Sequence, residues 1–426
     1  MKVQQVRGAI NPFGGIHFVI KQCKTQGLDR FINEQLGSRG EEKQYSYADG
    51  LLALAYSHLC GASCCEDINT LHDHIGYYPG LQLPSTDTVL RIMQALKVEN
   101  TEIDNEGVVH QFNCNEKLND FLQKLALQTG LLNTGEAYTL DYDNVILENE
   151  KYDACPTYKG TTGYQPALAF IGKHAVFVEG RNGNTPAAYK MAHALKDCFA
   201  QLEQNSIRLQ HFRSDSAAYQ KDVVEEVVQH CRYFYIRIDD SQRLLDAIQD
   251  IPRHEWQTIT LGYQKVQMVT TPFLPFDGKQ AYTAVVQRRE RKDRQADVFS
   301  GTAYSYYAVL TNNEKDSAEW ITRFYNERGA SEKNFDILNN DFNCHRLPFS
   351  FLNANTVYLL LAAMSSLLFE WIKKVFAQRG ILVGTAMRIK KFLFDFILLP
   401  AKWIKTARQW VLKIFTPRTC YEPLLE

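Results

Sequence analysis

The sequence predicts a mixed α/β sheet with a β-rich insertion, preceded by a helical module and followed by further helices. Three observations carry this. Apolar residues keep helical spacing up to about Gly130. From Glu136 the texture turns to strand alternation, in the order strand, strand, strand, helix, strand, helix, strand. A second block of strands then fills the chain between Asp239 and Asn313 before helical spacing returns. The expected segments are a helical module over 1–130, the first part of an α/β core over 131–238, and an inserted β subdomain over 239–313. A helix over 314–350 completes the core, and C-terminal helices occupy 351–426.

The elements follow in order. "YSYADGLLALAYSHL" and "KLNDFLQKLALQTGLL" are amphipathic, and "LPSTDTVLRIMQAL" has Ser85 as an N-cap. In "AYTLDYDNVIL", Tyr138, Leu140 and Tyr142 alternate with Thr139, Asp141 and Asp143, which predicts a strand. "YQPALAFIG" and "HAVFVEG" give two more. Thr185 and Pro186 are expected to open the helix through "AAYKMAHALKDCFAQL". The strand "SIRLQHF", the helix through "VVEEVVQHC" and the strand "YFYIRI" complete this part. In the insertion, "KVQMVTTPFL", "AYTAVVQRR" and "SYYAVLTN" predict strands. The apolar run from Val357 is broken by two serines and meets Glu370, which favours a buried helix over a membrane span.

Bulk composition excludes little. The 426 residues are 45% hydrophobic and 22% charged with a net charge of −1, so any nucleic-acid footprint must be local. The start lacks an apolar signal-like region, so the ten cysteines are expected to be reduced thiols of a cytoplasmic chain.

Three carboxylates stand out by placement. Asp143 shares a face of the first strand with Asp141, Asp215 lies just past the "SIRLQHF" strand, and Glu332 sits on the late helix. Converging carboxylates repel, and divalent metal relieves that repulsion. Oxygen donors suit two Mg²⁺ or Mn²⁺ ions, and such a pair activates water and stabilises the leaving oxygen of a phosphodiester. At about 100° per residue, Tyr325, Arg328, Glu332 and Asn339 fall within roughly 60° of one helix face. Trp320, Phe324, Phe335 and Leu338 lie beside that arc and are expected to anchor the helix to the sheet. Arg suits bidentate phosphate binding and Tyr can donate a hydrogen bond to phosphate. Gly329 interrupts the stretch and weakens a continuous helix.

These residues resemble the DDE transposases of bacterial insertion sequences, cut-and-paste enzymes with a ribonuclease H-like core. They are similar to the branch with a β-rich insertion and the signature Y-(2)-R-(3)-E-(6)-K. Tyr325, Arg328 and Glu332 match its first three positions, whereas Asn339 stands where that branch has Lys. Asp215 in "FRSDSAAY" matches the second Asp. Asp143 in "DYDNV" is chosen as the first, with Asp141 in reserve and Val145 in place of a family Thr. "YKGTTGYQPALAF" and "RNGNTPAA" also look like family segments, and the resemblance spans roughly 50–417.

The resemblance implies metal binding and catalysis by Asp143, Asp215 and Glu332, with strand cleavage at inverted-repeat ends of double-stranded DNA. Attack of the freed 3′-hydroxyl on target DNA follows, within a homodimeric synaptic complex and without a membrane. Phosphate contacts are expected from Tyr325, Arg328 and Asn339. A catalytically inactive DNA-binding relative and a metal-dependent nuclease are the alternatives.

Other features are open at this level. Arg288, Arg289 and Arg291 in "QRRERKDRQ" form a DNA contact or a solvated hairpin tip. Basic residues from Arg388 to Arg408 alternate with aromatics, which suits DNA, a dimer or a membrane surface. Cys60, Cys64 and Cys65 with nearby His58, His72 and His74 match no standard zinc spacing. "LPSTDTVLRIM" is a DNA-recognition helix or a core helix.

Overall fold

Alternation of Leu140 and Tyr142 with polar neighbours buries both side chains and makes Ala137–Asn144 an inner strand near the centre of a sheet. The computed structural model describes residues 3–4, 10–75, 80–239, 242–261, 263–277, 280–290 and 304–425. Strands β1 (Thr101–Asn105) and β2 (Val108–Cys114) precede this inner strand, β3. Three short strands come next, β4 (Leu147–Glu148), β5 (Cys155–Pro156) and β6 (Thr162–Tyr164). Then come β7 (Ala167–Ile171), β8 (His174–Arg181), β9 (Arg208–Ser214) and β10 (Tyr233–Arg237). The insertion supplies β11 (Gln257–Leu261), β12 (Gln264–Phe273), β13 (Tyr282–Glu290) and β14 (Tyr304–Thr311).

The large sheet has eleven strands in the order β1-β2-β8-β7-β3-β9-β10-β14-β13-β12-β11. Strands β8, β7 and β3 form an antiparallel meander. β9 then runs parallel to β3, and β10 parallel to β9. Helices Met191–Gln204 and Lys221–His230 make the crossovers, burying Leu195, Phe199 and Leu202 on one and Val223, Val224 and Val227 on the other. Three antiparallel strands followed by two parallel ones give the strand order of a ribonuclease H-like core. The insertion is no separate sheet, because β14 pairs antiparallel with β10 and carries β13, β12 and β11 outward from the core.

Several expectations need correction. Residues 101–114, expected within a helical stretch, form a hairpin that joins the sheet through Phe112, Asn113 and Cys114 opposite Arg181, Gly180 and Glu179. The turn residues Glu106 (φ 54°) and Gly107 (φ 86°) both take the left-handed conformation that a tight hairpin requires. The helix expected to open at Pro186 begins at Met191. Arg181 Nη1 donates to the carbonyls of Ala187 and Tyr189 and holds the preceding residues as a loop. Finally, 401–414 is not helical. It forms a hairpin of β15 (Ala401–Thr406) and β16 (Gln409–Ile414), after helix Leu352–Gln378 and the helical turns over 389–397.

Helix Leu352–Gln378 is long and apolar enough to cross a membrane, yet nearly all of it is buried inside this chain. It packs on β8 and against helices Tyr47–Leu59, Thr86–Leu96 and Glu116–Gln128. One contiguous core therefore runs from the N-terminal helices through the sheet to the C-terminal helices. Helix Thr86–Leu96 turns Val89, Ile92, Met93 and Leu96 into that core. Gly180 permits a close approach of sheet and helix, since a Cβ there would lie 2.0 Å from Thr356 Oγ1. Gly180→Ala is expected to destabilise the chain by about 1–3 kcal/mol through overpacking. Urea unfolding checks this, and an unchanged midpoint would show that the contact yields freely.

Candidate active site

Parallel register sets the first feature of the site. Asp141 pairs with Arg213 and Tyr142 with Ser214 across β3 and β9, so one step further Asp143 stands beside Asp215. Ser214 Oγ donates to the Tyr142 carbonyl and fixes that register at the strand ends. Both carboxylates lie at the C-terminal edge of the parallel strands, where the chain leaves the sheet and side chains are free to meet a ligand. Asp215 accepts from Ala217 N–H at 2.9 Å and caps the turn Ser216–Ala218. Asp143 accepts from Asn144 N–H at 2.8 Å with one oxygen.

The second Asp143 oxygen accepts from Arg328 Nη1 at 2.8 Å. Burial, and next the charge of Asp215, push the Asp143 carboxyl up to about 6, while Arg328 pulls the other way. Its pKa is raised above the unfolded value of 3.8, so Asp143 contributes most to stability at acid pH. That contribution falls as the pH rises through about 6.

Arg328 is itself largely buried, and its Nε has no hydrogen-bond partner among the described residues. An unmatched guanidinium N–H next to a carboxylate pair suits an incoming anionic oxygen such as that of a phosphate.

Asp141, the reserve, is not a metal-ligand candidate in this arrangement. Both its oxygens accept from Arg213, at 2.6 and 2.8 Å, and the pair is buried. Arg213 Nη1 also donates to the Phe324 carbonyl at 2.5 Å, near the C-terminal end of helix Ala318–Asn326, where a cation meets the negative end of the helix dipole. The guanidinium lies 4.6 Å from the Phe324 ring centroid. Arg213 was missed in the sequence, and "FRSD", an Arg two residues before the Asp on the same strand face, was the available signal.

The four-residue helix face also needs correction. Helix Ala318–Asn326 ends in a 3₁₀ turn at Glu327–Gly329, and a second helix runs over Ala330–Asp341. Tyr325 points inward, 2% exposed, and its hydroxyl donates to the Ser214 carbonyl at 3.0 Å. It therefore anchors the helix to the end of β9, and its hydroxyl is turned away from solvent. With Ile321 it packs in a cluster of Tyr235, Val266, Met268, Val285 and Val309, so the insertion strands seat the helix. Among the expected anchors, Phe335 and Leu338 are buried, Phe324 is half-buried and Trp320 is exposed.

Glu332 is exposed in the first turn of its helix, where the helix dipole favours an anion. Asn339 is half-buried seven residues later, about 10 Å along the axis. Its carbonyl accepts from His345 Nδ1. Among the described residues no group of three or more His, Cys, Asp or Glu side chains is gathered to hold a metal. Asp143 and Asp215 are thus together, and Glu332 is not grouped with them. Their oxygen donors fit a hard divalent cation, which is what a raised, paired carboxylate lacks.

The outlying candidates divide. Arg288 is held by Gln267 at 2.9 Å and lies 3.9 and 4.7 Å from the Trp256 and Tyr304 ring centroids, so it braces the insertion. Arg289 is exposed, and Arg291 lies outside the described residues. Arg388 is tied to Asp341 and Asp336 and staples the Ala330–Asp341 helix to the tail. Burial raises the Cys65 thiol to about 12 and Cys60 further still, and all ten cysteines are free thiols.

A family model described as "Transposase DDE domain group 1" matches residues 2–422. No curated protein matches this chain. Among solved structures, a piggyBac transposase synaptic complex with hairpin DNA aligns at 10% identity and TM-score 0.41, covering 91% of this chain and 76% of that one. A Drosophila P element transposase strand transfer complex aligns at 11% identity and TM-score 0.24, covering 89% and 97% respectively.

Two outcomes follow from the site's charges. Arg213→Met leaves Asp141 buried and unpaired and is expected to cost about 3–5 kcal/mol, much of it recovered by adding Asp141→Leu. Urea unfolding of the single and double variants checks this. Because a bound cation displaces the Asp143 proton, the rise in thermal midpoint with Mn²⁺ is expected to be larger at about pH 8 than at about pH 5. A pH-independent rise would remove Asp143 from the binding site.

Proposed function

This chain belongs to the transposase DDE domain group 1 family, and from that premise we propose that it cuts phosphodiester bonds at the ends of an insertion sequence. It then joins the freed 3′-hydroxyl to target DNA. The observation that carries the reading is the adjacency of Asp143 and Asp215 at the parallel strand ends, with Arg328 inserted between helix and sheet. Asp143, Asp215 and Glu332 are the residues that would hold divalent metal, Mg²⁺ or Mn²⁺. When bound, such ions supply an activated water and stabilisation of the leaving oxygen.

The chain's own residues do the rest. Arg328 pairs with Asp143 and is the residue that would contact a DNA phosphate oxygen once metal takes up that carboxylate. The short 3₁₀ turn at Glu327–Gly329 lets the start of the following helix swing Glu332 toward the aspartates. Tyr325 and Arg213 keep the preceding helix fixed to β9 during that movement. The active form is a homodimer that pairs two inverted-repeat DNA ends, acting in the cytoplasm on the nucleoid.

Asp215→Asn and Glu332→Gln are each expected to lower strand cleavage of a labelled transposon-end duplex in Mg²⁺ by more than about a hundredfold, while DNA binding stays within about twofold. Binding without cleavage in the wild type would make this chain an inactive DNA-binding relative. Equal cleavage of unrelated DNA would make it a general nuclease.

A further inference from the structure

The C-terminal hairpin β15–β16 forms a two-stranded sheet of its own, apart from the large one. A lone two-stranded hairpin is marginal in water. Near its base Ala401 bridges Asn11, the Trp403 ring meets His17 at 5.3 Å, and Ile414 packs against the core. Alternation along the strands divides its faces. Trp403, Leu412 and Ile414 share the face with buried Ala401, which turns toward the body. The other face carries the cross-strand pairs Lys402–Lys413, Ile404–Val411 and Thr406–Gln409.

Charge on this ribbon is one-sided. No Asp or Glu occurs between Pro400 and Tyr421, whereas Lys402, Lys405, Arg408, Lys413 and Arg418 all lie there. Lys402 and Lys413 stand directly opposite each other, a like-charge pairing that weakens a hairpin left in water. The two turn residues Ala407 (φ 47°) and Arg408 (φ 68°) take the left-handed conformation that favours Gly or Asn. The tip thus carries a cation at a position where a neutral turn residue would be less strained. Both features cost the hairpin stability, and a polyanion on the Lys402–Lys413 face would relieve the like-charge pairing.

We infer that β15–β16 is a DNA-binding ribbon that lies in a groove of duplex DNA. Lys402, Lys413 and Arg408 contact phosphates, and the Ile404–Val411 and Thr406–Gln409 pairs face the base edges. The major groove admits a two-stranded ribbon, and the ribbon's apolar and amide groups match the thymine methyl and adenine edge found there. This inference rests on the DNA-processing reading above, but it concerns binding and not cleavage.

Fluorescence anisotropy of the full chain with a mixed-sequence duplex, over a salt series, tests it. Lys402→Gln with Lys413→Gln is expected to weaken binding about tenfold and to reduce the salt slope by about two, one per lost phosphate contact. Arg408→Gln is expected to reduce it by about one. Without DNA the thermal midpoint of the double variant should hold or rise, because the like-charge pair is gone. Unchanged affinity and slope would overturn the inference. So would intact DNA binding accompanied by loss of a dimer in light scattering, or by loss of binding to anionic vesicles. A wild type that shows the ribbon-dependent slope yet never cleaves would sink the enzymatic reading and leave the ribbon standing.

Discussion

The parallel pairing of β3 with β9 forces two carboxylates to stand side by side, and much of the surrounding structure answers to that repulsion. Nothing about a strand end requires an acid at both Asp143 and Asp215. Burial raises the Asp143 carboxyl, the neighbouring Asp215 raises it further, and a nearby cation offsets both. Arg328, carried on the turn between two helices, supplies positive charge to Asp143. Two residues earlier on the same strand face, Asp141 is paired with Arg213 and both side chains are buried. The two acid–base pairs differ in their surroundings: Asp143 has Asp215 beside it, whereas both oxygens of Asp141 accept from Arg213, which also reaches Glu327 at 3.4 Å.

The insertion gains its meaning from the same constraint. A helix that presents a guanidinium to a particular carboxylate must itself be fixed. Ile321 and Tyr325 lock it to strands supplied by the core and the insertion, and the Tyr325 hydroxyl reaches the carbonyl of Ser214, the residue just before Asp215. Arg213 grips the same helix from below through the Phe324 carbonyl. The break at Glu327–Gly329 leaves the next helix, with Glu332, attached to this fixed support by one short turn.

Much of this was legible in the sequence. Strand alternation located β3, β7, β8, β9 and β10, and the placement of Asp143 and Asp215 at strand ends followed from it. What was not legible depended on tertiary pairing. Tyr325, Arg328, Glu332 and Asn339 share an arc on an ideal helix, but helix periodicity cannot reveal that the helix breaks or that Tyr325 is the residue turned inward. Asp141 and Asp143 are equivalent by alternation, and only the partner strand's Arg213 and Asp215 separate them. The hairpin at 101–114 was hidden by its exposed polar outer strand, and β15–β16 by an apolar and basic alternation that also fits a helix.

The central claim is that Arg328 stands in for a cation at Asp143 and Asp215. Titration of Mn²⁺ by calorimetry into the wild type, Arg328→Gln and Asp215→Asn tests it without any DNA substrate. The account predicts tighter Mn²⁺ binding by Arg328→Gln than by wild type, because a competing guanidinium has been removed, and weaker binding by Asp215→Asn. Equal or weaker binding by Arg328→Gln would contradict it.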